Sequence, residues 1–208
     1  MTKLENLRIA VQKNGRLREA SLNFLRTIGL TFDLPTNGEL IVPCANAPVE
    51  LLLVRNSDIS EYVTNGIADF GIVGENILVE NERPLPVVKK LGFGICKLII
   101  AVPKGSRSER VEDLAGERIA TSYPNSLKKF LRAKGIPASL IVIQGSVEIA
   151  PELGLADAVC DITQTGNTLK AHGLIPIATV LESEAVLVES PNANRAKEEF
   201  IKKFVQKI

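Results

Sequence analysis

The stretch Asp157-Ala-Val-Cys-Asp161-Ile-Thr-Gln-Thr165-Gly-Asn-Thr168-Leu169 holds the residue types in this chain best suited to chemistry. Its apolar first half reads as a strand that delivers Asp161 to its carboxyl end. Thr163, Gln164, Thr165, Gly166, Asn167 and Thr168 then form a loop of hydroxyl, amide and glycine groups that opens a helix. Backbone N–H groups and threonine hydroxyls in such a loop can hold an anion, and a helix N-terminus adds the attraction of its dipole. A carboxylate just ahead of the loop is placed to accept hydrogen bonds from a sugar's hydroxyls, so phosphate with ribose is the ligand the pattern suggests. The same residues also suit a plainer role, a helix capped near Thr165 or Thr168.

Two arginines stand where a second set of phosphate contacts could form. Arg16 lies in the polar turn after the apolar run Leu7 to Val11, and Arg55 follows the run Leu51 to Val54. A guanidinium at a strand end can hold a phosphate through two hydrogen bonds, although a surface ion pair is the alternative for either one alone. Lys13 is a lesser candidate in the same turn. His172 is the single histidine. With no second His or Cys at ligand spacing it reads as structural or solvated, and no Ser-His-Asp or Cys-His arrangement is available. Neither GxxxxGK[ST] nor a GxGxxG after the first strand is present.

These residues need elements to position them, and the chain alternates short β-rich runs with longer amphipathic stretches. That alternation predicts an α/β fold with a largely parallel sheet, in which ligands bind at the carboxyl ends of strands. Leu7 to Val11 is the first predicted strand, followed by a helix near Leu17 to Ile28 that ends at Gly29. Strand material recurs at Ile41 to Val42, Leu51 to Val54, Ala68 to Gly74, Leu85 to Lys90 and Leu98 to Val102, with a helix at Ser57 to Asn65. Pro103-Lys-Gly-Ser-Arg107 breaks the pattern. A second βα series then runs through a helix at about Ser126 to Lys134, strands in Ile136 to Ile143 and Ala156 to Asp161, a short helix at Gly145 to Ala150, and one strand near Thr179 to Val188. A charged helix from about Asn194 to Lys207 closes the chain.

Composition narrows the function classes. The 208 residues are 45% hydrophobic and 24% charged, which is enough for a buried core and leaves room for one domain or two small lobes. Lys plus Arg is 25 against 24 for Asp plus Glu, a net charge of +1, so bulk charge gives no support to nucleic-acid or membrane-surface binding. Only 4% of residues are aromatic, a poor stacking platform for single strands. The N-terminus lacks a signal-peptide pattern and no apolar run approaches the roughly 20 residues of a membrane helix, so a cytoplasmic small-molecule protein is expected. Cys44, Cys96 and Cys160 are widely spaced and read as reduced and structural.

Taken together, the blocks of this chain resemble the short form of ATP phosphoribosyltransferase. They are Lys13-Asn-Gly-Arg-Leu17, Arg55-Asn-Ser-Asp-Ile59, Gly66-Ile-Ala-Asp-Phe-Gly-Ile-Val-Gly74, Cys96-Lys-Leu-Ile-Ile-Ala-Val-Pro103, Arg118-Ile-Ala-Thr-Ser-Tyr-Pro-Asn125, Gly145-Ser-Val-Glu-Ile-Ala-Pro151, and Gly154 through Leu169. The resemblance implies two α/β lobes like type II periplasmic binding proteins, with the active site in the inter-lobe cleft. The first lobe would comprise residues 1–92 and 176–208, the second residues 93–175. It implies a pentosyltransferase that joins adenine N1 of ATP to C1 of phosphoribosyl pyrophosphate, the first step of histidine biosynthesis. Asp161 through Thr168 would hold the ribose and 5′-phosphate, with Glu148 and Asp157 nearby, while Arg16 and Arg55 would contact ATP or pyrophosphate. Mg²⁺ would arrive with substrate rather than at a protein-built metal site.

The resemblance further implies partners. The long form carries a C-terminal histidine-binding domain for which 208 residues leave no room. The chain is therefore expected to work with a regulatory subunit resembling histidyl-tRNA synthetase, in a hetero-octamer of four plus four built on homodimers. Three rivals share parts of the pattern. A solute-binding protein would need a signal peptide, and a transcription regulator of this architecture would need a helix-turn-helix. Other phosphoribosyltransferases usually place two adjacent acids before Thr-Gly-x-Thr, where this chain has Cys160-Asp161.

Overall fold

The computed structural model describes residues 6–34, 38–192, 197–206 and 208. In chain order the elements are β1 (Leu7–Gln12), α1 (Arg16–Thr27), β2 (Ile41–Pro43), β3 (Val49–Val54), α2 (Ile59–Thr64), β4 (Phe70–Gly74), α3 (Glu75–Glu80), β5 (Val87–Lys90) and β6 (Cys96–Pro103). They continue with β7 (Arg118–Thr121), α4 (Pro124–Lys134), β8 (Ser139–Val142), β9 (Ala158–Thr163), α5 (Asn167–Ala171), β10 (Leu174–Ser183), β11 (Ala185–Glu189) and α6 (Glu198–Gln206). Single 3₁₀ turns occupy Asn56–Asp58, Val111–Leu114 and Val147–Ile149.

The chain divides into two units, Met1–Gly94 with Glu184–Ile208, and Ile95–Ser183. The first is built on a sheet ordered β2-β3-β1-β4-β11-β5. Its centre, β3-β1-β4, is parallel, and β2, β11 and β5 pair antiparallel around it. The parallel centre reads as near-continuous apolar residues because both of its faces are covered. In α1 the inward residues Leu17, Ser21, Leu22, Phe24, Leu25 and Ile28 recur at helical spacing. Gly71 on β4 is a packing requirement: a Cβ there would stand 2.7 Å from Ile59 Cγ2 and 2.8 Å from Val63 Cγ2, so only glycine lets α2 lie on the strand.

The end of the chain returns to this unit and is anchored by a buried charge pair. Lys197 Nζ lies 3.0 Å from Asp69 Oδ2, with the two side chains 9% and 1% exposed, and the same oxygen accepts the Arg8 N–H at 2.8 Å. Phe204 of α6 packs on Phe70 with ring centroids 4.8 Å apart. The Asp within the block Gly66 to Gly74 is therefore a structural group, fully engaged.

The second unit is a sheet ordered β10-β6-β9-β7-β8. Here β7, β8 and β9 pair in parallel, β6 runs against them, and β10, antiparallel to β6, points the same way as β9. Leu98, Ile100, Ile119, Leu127 and Leu131 form one core layer, and Ile99, Ala101, Val147, Val159 and Leu169 another. The α4 helix opens with Pro124 at its first position and stops at left-handed Gly135, φ +68°.

The apolar run from Thr179 to Val188 is not one strand. Residues up to Ser183 continue β10 along β6, and from Ala185 the chain forms β11 beside β4, so it changes sheets at Glu184. The units accordingly divide at 94/95 and 183/184, where the sequence places the divisions after residues 92 and 175. Hydropathy is alike on both sides of Glu184, and only the partner strands distinguish them. The predicted helix at Ser57 to Asn65 is a 3₁₀ turn leading into the shorter α2, and α3 has no sequence-based counterpart.

Candidate active site

Three loops follow the parallel strands of the second unit, at Thr121, Val142 and Thr163. They are tied together. Ser122 Oγ donates to the Ile143 carbonyl at 2.7 Å and accepts the Gly145 N–H at 3.3 Å, while the Tyr123 N–H donates to Thr121 Oγ1 at 2.9 Å. Carboxyl ends of parallel strands are where an α/β sheet presents ligand-binding groups.

Asp161 and the following loop stand on β9 at this end. Asp161 is half-buried, and burial first and the negative charge of Glu148 second push its carboxyl above the ordinary value of 3.8. Glu148, in the 3₁₀ turn Val147–Ile149, is thus close enough for the two carboxylates to repel each other. The turn begins at Ser146 with φ +48°, a left-handed conformation that is uncommon for a residue other than glycine. Nothing in the sequence signals that strain, because serine carries no bias toward it.

The loop itself departs from a simple cap. Gly166, left-handed at φ +75°, is the N-cap of α5 and makes no side-chain cap bond. Thr163 Oγ1 instead accepts the Gly166 N–H at 3.0 Å. Thr165 and Thr168, the two expected caps, are exposed and keep their hydroxyls free among the described residues. The N–H groups of Thr165, Asn167 and Thr168 are likewise without a partner there. A left-handed residue followed by a right-handed one turns successive N–H groups to one side, the geometry of an anion nest. Because α5 has only five residues, these local donors outweigh the helix dipole expected from the sequence as an attraction for an anion.

Asp157 is placed elsewhere. It precedes β9 at the opposite end of the strand, where its carboxylate accepts Arg118 Nε at 3.0 Å, Nη2 at 2.8 Å and the Arg118 backbone N–H at 2.9 Å. The Arg118 guanidinium holds this carboxyl down to about 2. The expectation that Asp157 sits beside the loop is corrected: it is an ion-pair residue binding β9 to β7. Sequence alone could not separate it from Asp161, since both flank the same apolar strand.

The remaining candidates lie in the first unit, at the carboxyl ends of β1 and β3. Lys13 leaves β1, its N–H bonded to the Val54 carbonyl at 2.7 Å, and its side chain is exposed. Arg16 is the first residue of α1, and its side chain lies outside the described residues. Gly15 before it has φ +103°, and a Cβ there would meet Gln12 Nε2 at 3.0 Å, so this sharp entry into the helix needs glycine. Arg55 follows β3 directly, is exposed, and has no ion pair among the described residues. Two neighbours of these residues, in the first turn of α1 and just after β3, carry no sequence signal. Arg18 Nε and Asn56 Oδ1 are buried without a hydrogen-bond partner among the described residues. Orphaned buried polar atoms are uncommon and costly, and neither residue type has a local pattern that would have revealed them.

His172 is exposed at the C-cap of α5. Cys160 is buried inside β9, and burial raises the Cys96 thiol above its ordinary value. No helix among the described residues is long and apolar enough to cross a membrane.

Comparison with known proteins gives a consistent result. A family model described as HisG, ATP phosphoribosyltransferase, matches residues 55–208. The ATP phosphoribosyltransferase of Cytophaga hutchinsonii is 44% identical over 202 residues, covering 97% of this chain and 70% of that relative. That of Bacteroides fragilis is 42% identical over 195 residues, covering 94% and 69%. Among solved structures, the ATP phosphoribosyl transferase (HisG:HisZ) complex from Thermotoga maritima contains a chain 31% identical, with a TM-score of 0.82 over 97% of this chain and 96% of that one. The periplasmic aliphatic sulphonate binding protein SsuA of Escherichia coli, 15% identical with a TM-score of 0.62, covers 98% of this chain and 71% of its own, a likeness of fold alone.

Proposed function

This chain belongs to the ATP phosphoribosyltransferase family, and from that premise we propose how its residues carry the family's reaction, the first step of histidine biosynthesis. Adenine N1 of ATP already carries a lone pair, so no base is needed to create the nucleophile. The N1–C1 bond forms, the bond from C1 to the pyrophosphate oxygen breaks, and pyrophosphate leaves with the electron pair. What must be stabilised is a ribose with oxocarbenium character and the charge gathering on the leaving group. Attack opposite the leaving group inverts C1. The anomeric configuration of the product, read by NMR, tests this, and retention would sink it.

Asp161 takes the ribose hydroxyls as acceptor, with Glu148 beside it. The free N–H groups of Thr165, Asn167 and Thr168 and the threonine hydroxyls hold the 5′-phosphate, with Thr163 fixing Gly166 and Gln164 completing the loop. Arg16, Arg55 and Lys13 supply positive charge for ATP or the pyrophosphate. The observation that supports this reading most directly is a half-buried carboxylate, kept from easy ionisation, at the same strand end as a loop of unbonded donors.

Mg²⁺ suits this donor set. Asp161, with the negative charge of Glu148 close by, favours a hard cation that reaches the site on the substrate's phosphates. When bound it would offset charge on the pyrophosphate. The likeness to the Thermotoga maritima complex supports a HisZ-type regulatory partner for this chain; the assembly we propose is a cytoplasmic hetero-octamer built on homodimers.

The test is absorbance at the N1-alkylated adenine band, with ATP, phosphoribosyl pyrophosphate and Mg²⁺, measured with and without a HisZ-type subunit. Product formation is expected, and Asp161→Ala should abolish it while the fold persists. No product under either condition, or a near wild-type rate in the variant, would defeat the assignment.

A further inference from the structure

At the end of the second unit opposite the substrate loop lies a cavity of about 420 Å³, within the size range of small-molecule sites. Its walls are the loop Pro103–Ser108 leaving β6, the start of β7 at Glu117 and Arg118, and the entry to β9 at Asp157. Along β9 this is roughly 20 Å from Thr163, six residues at strand rise. The loop is the segment where the α/β pattern of the sequence breaks, and the proposed reaction makes no use of it.

Hydrogen-bond donors dominate the lining. Arg118 is committed to Asp157 and to the Gly154 carbonyl, so that pair is neutral within itself. Lys104 and Arg107 are exposed and have no ion pair among the described residues. Between them the chain turns at Gly105, φ +85°, closed by the Ser106 N–H on the Pro103 carbonyl at 2.9 Å. The Ser108 N–H donates to Ser106 Oγ at 3.2 Å. The N–H groups of Gly105 and Arg107 have no partner among the described residues. Three cations face two carboxylates, a net charge of +1, and Glu117 is engaged with the Arg118–Asp157 pair. A guanidinium, an ammonium, two backbone N–H groups and a hydroxyl around one turn match the several acceptor oxygens of a tetrahedral oxyanion.

We propose that this cavity is a second ligand site, one that takes the phosphate group of a small molecule. It does not depend on the roles assigned to Asp161 and its loop. The test is an amide NMR titration of the full chain with inorganic phosphate, then with glycerol phosphate as an ester, and with acetate as a control. Saturable shifts are expected at Gly105 and Arg107, stronger for phosphate than for acetate. The tighter of the two phosphates tells whether the site takes the free ion or an ester. Lys104→Ala with Arg107→Ala, both solvent-facing changes, should weaken this response by about tenfold or more. The response of Thr165 to Thr168 to phosphate should stay unchanged, which separates this site from the substrate loop. Glu117→Gln should tighten it about two- to threefold by removing the opposing charge. Shifts that never saturate, shifts matched by acetate, or shifts unaltered in the double variant would overturn the proposal.

Discussion

Asp157 precedes β9 and Asp161 lies within it, four residues on, and the structure drives their acidities in opposite directions. Asp157 accepts three hydrogen bonds from Arg118 and is held down to about 2. Asp161 has no such cation, is half-buried beside Glu148, and is pushed up. One carboxylate is spent on joining β9 to β7, and the other meets a backbone N–H at Ile162 but no cation. The difference teaches that a carboxylate's role is set by what already satisfies it. An acid that the fold leaves without a cation costs stability and marks a candidate site.

The sharpest way to break this contrast is Asp161→Asn. Its raised carboxyl means that the folded state favours the protonated form, so its stability contribution is full at low pH and declines as pH rises through the folded value. At neutral pH the ionised group burdens the fold. The amide should therefore leave the melting temperature unchanged or raise it, while kcat/KM falls by about a hundredfold or more. A destabilised but active variant would reverse the assignment.

Next in size is Lys197→Met, which extends the comparison to a carboxylate that is both buried and paired. Removing the ammonium leaves Asp69 charged and uncompensated, and denaturant unfolding should show a loss of about 3–5 kcal/mol. The residual folded fraction should keep its turnover number. Unfolding at wild-type denaturant concentrations would show that the C-terminal anchor contributes little.

Asp157→Asn should have a smaller effect, with the opposite pH signature to Asp161. A depressed carboxyl contributes stability above its ordinary value of 3.8 that disappears as pH falls toward about 2. The variant should melt slightly lower than wild type near neutrality, converge with it in acid, and retain KM for phosphoribosyl pyrophosphate within about threefold. A large rise in KM would return Asp157 to the substrate site. Smallest is Ser146→Gly, which relieves the left-handed strain ahead of Glu148 and should stabilise the chain by up to about 1 kcal/mol. A lower melting temperature would mean that serine's side chain, rather than its backbone, matters there.

Much of the loop was legible from residues alone. Asp161, the threonines and Gly166 form a contiguous pattern whose turn chemistry is local, and the structure keeps them at one strand end. Which of the two threonines capped the helix was not legible, and neither did, because Gly166 takes the N-cap and Thr163 supplies the bond. Arg18 and Asn56 escaped because burial without a partner is a property of the surrounding packing. The sheet change at Glu184 escaped for a related reason: an apolar strand reads the same whichever neighbour it joins.

By itself the sequence determined the α/β class, the family and the loop proposed to carry the chemistry. Those depend on hydrophobic period, glycine placement and ordered short blocks, all written in neighbouring residues. Only the tertiary structure decided which aspartate is paired with an arginine, where the chain leaves one sheet for the other, and that Lys104 and Arg107 border a cavity. Each of these turns on partners distant in the chain, such as Arg118 for Asp157 at a separation of 39 residues, which no local pattern can specify.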